Sequence, residues 1–366
     1  MSFEIIPVGT NIDFLSKRKL CAALSLGLLA VGALAIPLRG IQLGIDFEGG
    51  TEVQVRFVPG LEVDEGVIRE IAGQCGIAEA TVIRYGETDE DEYLVRFQIV
   101  GGEAELGPGA APADCPLTDA DRAALARAAA AGGGEGGAGE KGELVDRLEF
   151  GLRNDVGDLE VLRVEFVGPQ VGAELRRDGL LSLFWASLLI LFYIAFRFSM
   201  RFAPGAIVAL IHDVGITSSI FVILGLEFDL KVLAALLAII GYSLNDTIII
   251  YDRIRENMLL HTKTDLIETL NRSVNQTLSR TILTSGTTLA VVLLLFFLGG
   301  EVIRPFATAM AIGVLVGTYS SVFIAAPTLL FLETRASSSG SGGSAGESAR
   351  KEARPRGQRE KKRDRR

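Results

Sequence analysis

The chain has 366 residues, of which 49% are hydrophobic and 22% charged, with a formal net charge of −9. A mean hydropathy of +0.36 is high for a soluble protein carrying that much charge. Charged and apolar residues must therefore occupy separate blocks, which excludes an ordinary soluble domain, and no nucleic-acid partner is expected.

Residues 1–19 read as a short N-terminus ending in Lys17, Arg18 and Lys19. The first apolar run, Leu20–Leu38, follows directly. Ala33-Leu34-Ala35 loosely fits a signal cleavage site, but the run is longer than a signal peptide's apolar core, so an uncleaved span is expected. Residues 39–178 then form one large loop with 29 acidic against 13 basic residues. Long loops cross membranes largely regardless of charge, so this one is expected on the exported side.

Within the loop, Glu52–Val58 alternates as a strand and Val63–Cys75 has helical spacing through Val67, Ile68 and Ile71. Thr81–Tyr85 and Tyr93–Val100 read as strands, Glu143–Asn154 as an amphipathic helix and Leu159–Val167 as a last strand. That order predicts a small ferredoxin-like α+β domain. Residues 101–141, rich in Ala, Gly and Pro, are expected to be a flexible insertion with one short helix near Asp119–Ala130. Cys75 and Cys115 both fall in the loop, where spacing alone leaves open whether they pair. No cysteine or histidine set has metal-ligand spacing, so no metal is expected. Before the domain, Gly44–Thr51 reads GIDFEGGT. Gly49-Gly50 permits a sharp bend, but no GK[ST] follows and no helix is expected to begin there, which argues against a phosphate loop.

Residues 179–332 carry five further apolar runs, Gly179–Phe196, Ala203–Leu224, Leu230–Tyr251, Thr281–Leu298 and Pro305–Leu332. Each is long enough to cross a hydrocarbon core of roughly 30 Å as a helix. Basic residues gather in alternate connections: the N-terminus, Arg197 and Arg201, and residues 252–280 with Arg253, Arg255, Lys263, Arg272 and Arg280. The bias predicts cytoplasmic termini in a multi-pass protein of the inner membrane. The last stretch, 333–366, has 11 basic and 5 acidic residues, suited to anionic lipid, to a ribosome surface or simply to solubility.

Ionisable groups inside spans cost roughly 2.5–3.5 kcal/mol each and need a reason. The third span contains His212-Asp213, and the fourth contains Gly241-Tyr242-Ser243-Leu244-Asn245-Asp246. At about 100° per residue, Gly241, Tyr242, Asn245 and Asp246 share an arc of about 140°. They form a polar stripe that faces protein or water. Helix packing needs only amides and hydroxyls, as Asn245 supplies. A carboxylate adds the cost of a buried charge, and its charge state is tunable by burial and by neighbouring cations. Asp246 is therefore the candidate proton carrier. In the sixth span Ala309, Gly313, Gly317, Ser321 and Ala325 recur every fourth residue, a ridge that lets a neighbouring helix approach closely.

Five segments together resemble the SecD/SecF family of the resistance–nodulation–division superfamily. They are GIDFEGGT at Gly44–Thr51, VGPQVGAEL at Val167–Leu175, IHDVGIT at Ile211–Thr217, GYSLNDTIIIYDRIREN at Gly241–Asn257 and LSRTILTSGTT at Leu278–Thr288. The resemblance implies a non-enzymatic half-transporter that pairs with a SecD-like chain beside the SecYEG channel. Such a protein uses the proton gradient, with no cofactor, to draw a translocating polypeptide outward. It also implies that Asp246 and Arg280 are the relay residues, with Asp213 and Asn245 nearby. Three rivals differ in testable features. A small-molecule exporter of the superfamily would have two large exported domains and all its spans in one chain. An intramembrane aspartyl protease would need a Gly-x-Gly-Asp partner for Tyr251-Asp252. A structural adaptor of the channel would carry no proton flux.

Overall fold

Six long helices and one four-stranded sheet account for the computed structural model, which describes residues 10–58, 63–77, 80–85, 91–98, 115–131, 138–197, 201–260, 264–300 and 302–335 together with Pro7 and Leu61. In chain order the elements are α1 (Arg18–Arg39), α2 (Ile45–Glu48), β1 (Gly50–Phe57), α3 (Glu65–Gln74), β2 (Thr81–Tyr85), β3 (Glu92–Phe97), α4 (Asp119–Ala131), α5 (Ala138–Asp155), β4 (Leu159–Val167), α6 (Pro169–Arg197), α7 (Ala203–Leu224), α8 (Leu230–Leu260), α9 (Leu266–Leu298) and α10 (Arg304–Ser320). A π-helical turn, Ser321–Ala325, follows α10, and helix continues to Arg335. The chain divides into a helical unit and a sheet unit.

The sheet unit comprises residues 42–181 with 227–230. Its strand order is β2-β3-β1-β4, every neighbouring pair antiparallel, which is the ferredoxin-like arrangement expected from βαββαβ order. Alternation places Val53, Val55 and Phe57 of β1 and Tyr93, Val95 and Phe97 of β3 inward, against Ile68 and Ile71 of α3 and Leu148 and Leu152 of α5. Asp64 caps α3 by accepting the Gly66 N–H at 3.0 Å. Cys75 and Cys115 are joined by a disulfide that ties the residues just before α4 to the end of α3. Gly151 of α5 lies beneath it, where a Cβ would come 2.7 Å from Cys75 Sγ. Apart from α4 and the start of α5, the expected insertion falls on residues 101–114 and 132–137, outside the described residues, as does the basic tail from 336 onward.

One expectation needs correction. A single helical turn, α2, does form inside GIDFEGGT, because Gly44 O accepts the N–H groups of Phe47 and Glu48 at 3.0 and 3.2 Å. It ends at Gly49, whose φ of 78° and ψ of 166° are open almost only to glycine. A Cβ at Gly49 would also lie 2.7 Å from Pro169 Cα, where α6 begins. The glycine pair is thus a bend closed by backbone contact, as expected, and α2 offers no phosphate site because it precedes the glycines.

Among the described residues, six helices are long and apolar enough to span a membrane: Leu15–Arg39, Pro169–Arg197, Ala203–Leu224, Leu230–Leu260, Leu266–Leu298 and Arg304–Arg335. Helices α8 and α9, at 31 and 33 residues, exceed the roughly 20 needed to span. Their polar extensions make residues 252–280 mostly helical. There Asn257 Nδ2 donates to Ser273 Oγ and Gln276 Oε1, both at 2.8 Å. The N-terminal segment is held by Asn275 and Asn271, whose side-chain oxygens accept the N–H groups of Ile12 and Phe14 at 2.8 and 2.9 Å. Gly313 and Gly317 of α10 face α8, since a Cβ would lie 2.2 Å from Ile239 Cδ1 and 2.9 Å from Ser243 Cβ respectively. This is the close helix approach expected of the small-residue ridge.

Three outcomes follow for the sheet unit. Under denaturing conditions maleimide should label one of the three cysteines, Cys21, before reduction and all three afterwards, read by mass spectrometry. Gly49→Ala should destabilise the protein by about 1–3 kcal/mol, seen as a lower unfolding temperature in detergent. Gly73→Ala, where a Cβ meets open space inside α3, should be neutral or slightly stabilising.

Candidate functional site

Two buried carboxylates lie in the helical unit, and their surroundings differ. Asp246 on α8 is 1% exposed. Its Oδ2 accepts a long hydrogen bond, 3.4 Å, from Ser285 Oγ of α9. Ser285 Oγ lies 2.7 Å from Thr318 Oγ1 of α10, whose single proton is shared between that contact and Val314 O. Asp246 Oδ1 is buried and has no hydrogen-bond partner among the described residues. A buried unpaired carboxylate oxygen is costly, and such exceptions call for a functional reason. Arg280 stands on α9 five residues before Ser285, and its side chain is exposed on the surface of the chain.

The rest of the expected stripe divides by face. Gly241 and Asn245 are exposed, and a Cβ at Gly241 would meet nothing within 4 Å. Tyr242 is half-buried, with its hydroxyl buried and unpartnered among the described residues. Ala234 and Ala238 continue the exposed line toward the start of α8. One face of α8 is therefore small, open and ends beside Asp246, which is itself buried. Ile239 and Ile250 of the same helix are buried.

Asp213 on α7, also 1% exposed, is fully engaged. Its Oδ1 is 2.9 Å from His212 Nδ1. Its Oδ2 accepts the hydroxyls of Ser320 on α10, at 2.8 Å, and of Ser243 on α8. The chain continues from His212 Nε2 to Ser25 Oγ of α1 at 2.9 Å, and from Ser25 to Tyr319 OH at 3.2 Å, which in turn donates to Cys21 O at 2.8 Å. One carboxylate and one imidazole thus join four helices. Ser243, which donates to Asp213 of α7, stands three residues before Asp246 on α8, so the two acids lie on different helices that this serine connects.

Sequence reasoning passed over Ser25, Thr318, Tyr319 and Ser320. A signal existed for Ser25, the lone hydroxyl in Leu20–Leu38. None existed for the other three, whose partners come from distant segments. No group of His, Cys, Asp and Glu able to hold a metal occurs among the described residues.

Comparison with known proteins agrees with this architecture. Residues 149–335 match the family described as protein export membrane protein SecD/SecF, C-terminal, and residues 34–60 match the SecD/SecF GG motif. The protein translocase subunit SecF of Desulfurispirillum indicum is 40% identical over 328 residues, covering 88% of this chain and 92% of that protein. The SecF subunit of Vibrio alginolyticus is 36% identical over 330 residues, covering 90% and 92%. Among solved structures, SecDF from Thermus thermophilus, a translocon-associated membrane protein, superposes with a TM-score of 0.68 at 34% identity. That match covers 90% of this chain and 40% of the longer SecDF chain. From the helices, the sheet and these matches together, the chain belongs to the SecD/SecF family of protein export membrane proteins, aligned over nearly the whole length of its SecF members.

Proposed function

We propose that this chain is the SecF-type subunit of a Sec protein-export machine and that it couples proton movement to the outward passage of polypeptide. The observation that carries the proposal is Asp246, a buried acid with one unpaired oxygen at the edge of an open helix face. A group so placed gains a proton without breaking an existing bond at Oδ1 and loses it again under the influence of Arg280. Each proton that crosses releases about 2.3 kcal/mol per 100 mV. No catalytic residue and no cofactor is needed for this role.

The open face of α8 fits a SecD-like partner. Ala234, Ala238 and Gly241 permit close approach of another helix, and Asn245 and Arg280 offer polar groups to it. The remaining three fifths of the SecDF chain, unmatched here, would correspond to that partner. With the partner in place, Asp246 lies near the centre of the combined helices. SecYEG and the translocating polypeptide complete the proposed assembly.

For orientation, the basic connections argue for cytoplasmic termini in a bacterial inner membrane. The Cys75–Cys115 disulfide argues that the sheet unit faces an oxidising compartment.

Asp213, the second acid expected in the relay, has both oxygens occupied. We assign it to holding α1, α7, α8 and α10 together.

The test compares proton uptake into inverted vesicles that contain this chain with its SecD-like partner. Wild type should take up protons on energisation, and Asp246→Asn should take up none while remaining assembled. Equal uptake in both, or none in either, would make the chain a structural adaptor. Asp213→Asn should behave differently and lower the thermal stability of the assembled complex. Loss of one partner of a buried pair costs about 3–5 kcal/mol. Unchanged stability of Asp213→Asn, with uptake lost, would return Asp213 to the relay.

A further inference from the structure

His212 and Asp213 are neighbours on α7, 6% and 1% exposed. Both ring nitrogens of the one and both oxygens of the other are hydrogen-bonded, so the protons can be placed by counting. Four contacts run in a row from the acid. Asp213 Oδ1 meets His212 Nδ1 at 2.9 Å, and His212 Nε2 meets Ser25 Oγ at 2.9 Å. Ser25 Oγ then meets Tyr319 OH at 3.2 Å, and Tyr319 OH meets Cys21 O at 2.8 Å. Each contact needs one proton between its two atoms.

Ser25 and Tyr319 supply one proton each. A neutral imidazole supplies one more, which leaves three protons for the four contacts. One contact would then set two lone pairs against each other, away from water. An imidazolium supplies two protons and fills the row. The ring donates to Asp213 and to Ser25, Ser25 donates to Tyr319, and Tyr319 donates to the Cys21 carbonyl. A proton on Asp213 itself would fill the same contacts. Against that placement, Ser320 and Ser243 both donate to Asp213 Oδ2, and such bonds favour the ionised carboxylate. The Tyr319 ring also stacks on the His212 ring, with centroids 6.0 Å apart, a contact that suits a cation.

We infer that His212 is held as an imidazolium, so that the His212–Asp213 ion pair is a second protonated site in the helical unit beside Asp246. His212 is a positioning residue. Its charge balances Asp213, and Asp213 holds Ser243 of α8, three residues before Asp246. The site keeps its proton and does not conduct it. One end of the row is the Cys21 carbonyl, which cannot pass a proton on. The other end, Asp213 Oδ2, is closed by two hydroxyl donors. Among the described residues no other acid or base bonds to the pair. The titratable groups that the bonded helices bring toward it are Cys21 of α1, Tyr319 of α10 and, beyond Ser243, Asp246 of α8.

The chain has two histidines, so His261→Gln leaves His212 as the only imidazole. That full chain is made with isotope-labelled histidine, purified on a tag without histidine and combined with unlabelled SecD-like partner in lipid. Nitrogen NMR at neutral pH, where a free imidazole is mostly uncharged, should show a proton on both ring nitrogens. A bare ring nitrogen overturns the inference. Stability supplies a second reading. His212→Gln should lower the unfolding temperature of the complex by several degrees, because the buried carboxylate loses its counter-charge. Adding Asp213→Asn to His212→Gln should recover most of that loss. His212→Gln as stable as wild type, or a double variant no more stable than His212→Gln, overturns the ion pair. Neither measurement involves proton uptake, so failure of the coupling at Asp246 leaves this inference standing, and the reverse also holds.

Discussion

A carboxylate removed from water must be paired, hydrogen-bonded or neutral, and in a bundle of apolar helices few groups are available to satisfy it. Much of the arrangement around α8 follows from how two such carboxylates are treated. Asp213 receives an imidazole and two hydroxyls from three helices, and through His212 it reaches Ser25 on a fourth. Each contact demands a definite position of the helix that supplies it. The small residues Gly313 and Gly317 bring α10 close enough to α8 for Ser320 and Ser243 to meet the same oxygen. Asp246 receives far less, a single long bond from Ser285. Satisfying one acid fully builds the frame in which the other is held incompletely satisfied.

The π-helical turn after Ser320 belongs to the same frame. It displaces the backbone of the sixth span by an extra residue, and such turns are frequent at functional sites. Here Ala325 O, the last carbonyl of the turn, accepts the Tyr251 hydroxyl at 3.2 Å. Gly205 on α7 leaves the room, since a Cβ there would lie 2.2 Å from that hydroxyl. Tyr251 thus joins α7, α8 and the sixth span below the two acids, in the core that also includes Phe202, Ile254 and Leu329.

The sheet unit has a core of its own, closed by β1, β3, α3 and α5. Within that unit Arg96 of β3 bonds both Glu52 and Glu227, so a largely buried cation is neutralised by two carboxylates.

Much of this protein was legible in the residues themselves. Six apolar runs, the alternation in Thr81–Tyr85 and Leu159–Val167, and the helical spacing of Val67, Ile68 and Ile71 each report a local period, and local periods determine element type. The neighbourhood of Gly241, Asn245 and Asp246 on α8 follows from the same local geometry, because residues four or five apart on one helix lie on adjoining faces whatever surrounds them. Tertiary structure alone decided which face of the stripe is open, that Asp213 is saturated while Asp246 is not, that Cys75 meets Cys115, and that Arg96 reaches Glu227 across 131 positions of sequence. These are pairings between distant segments, and sequence spacing carries no distance for them. They exist only once each unit has folded.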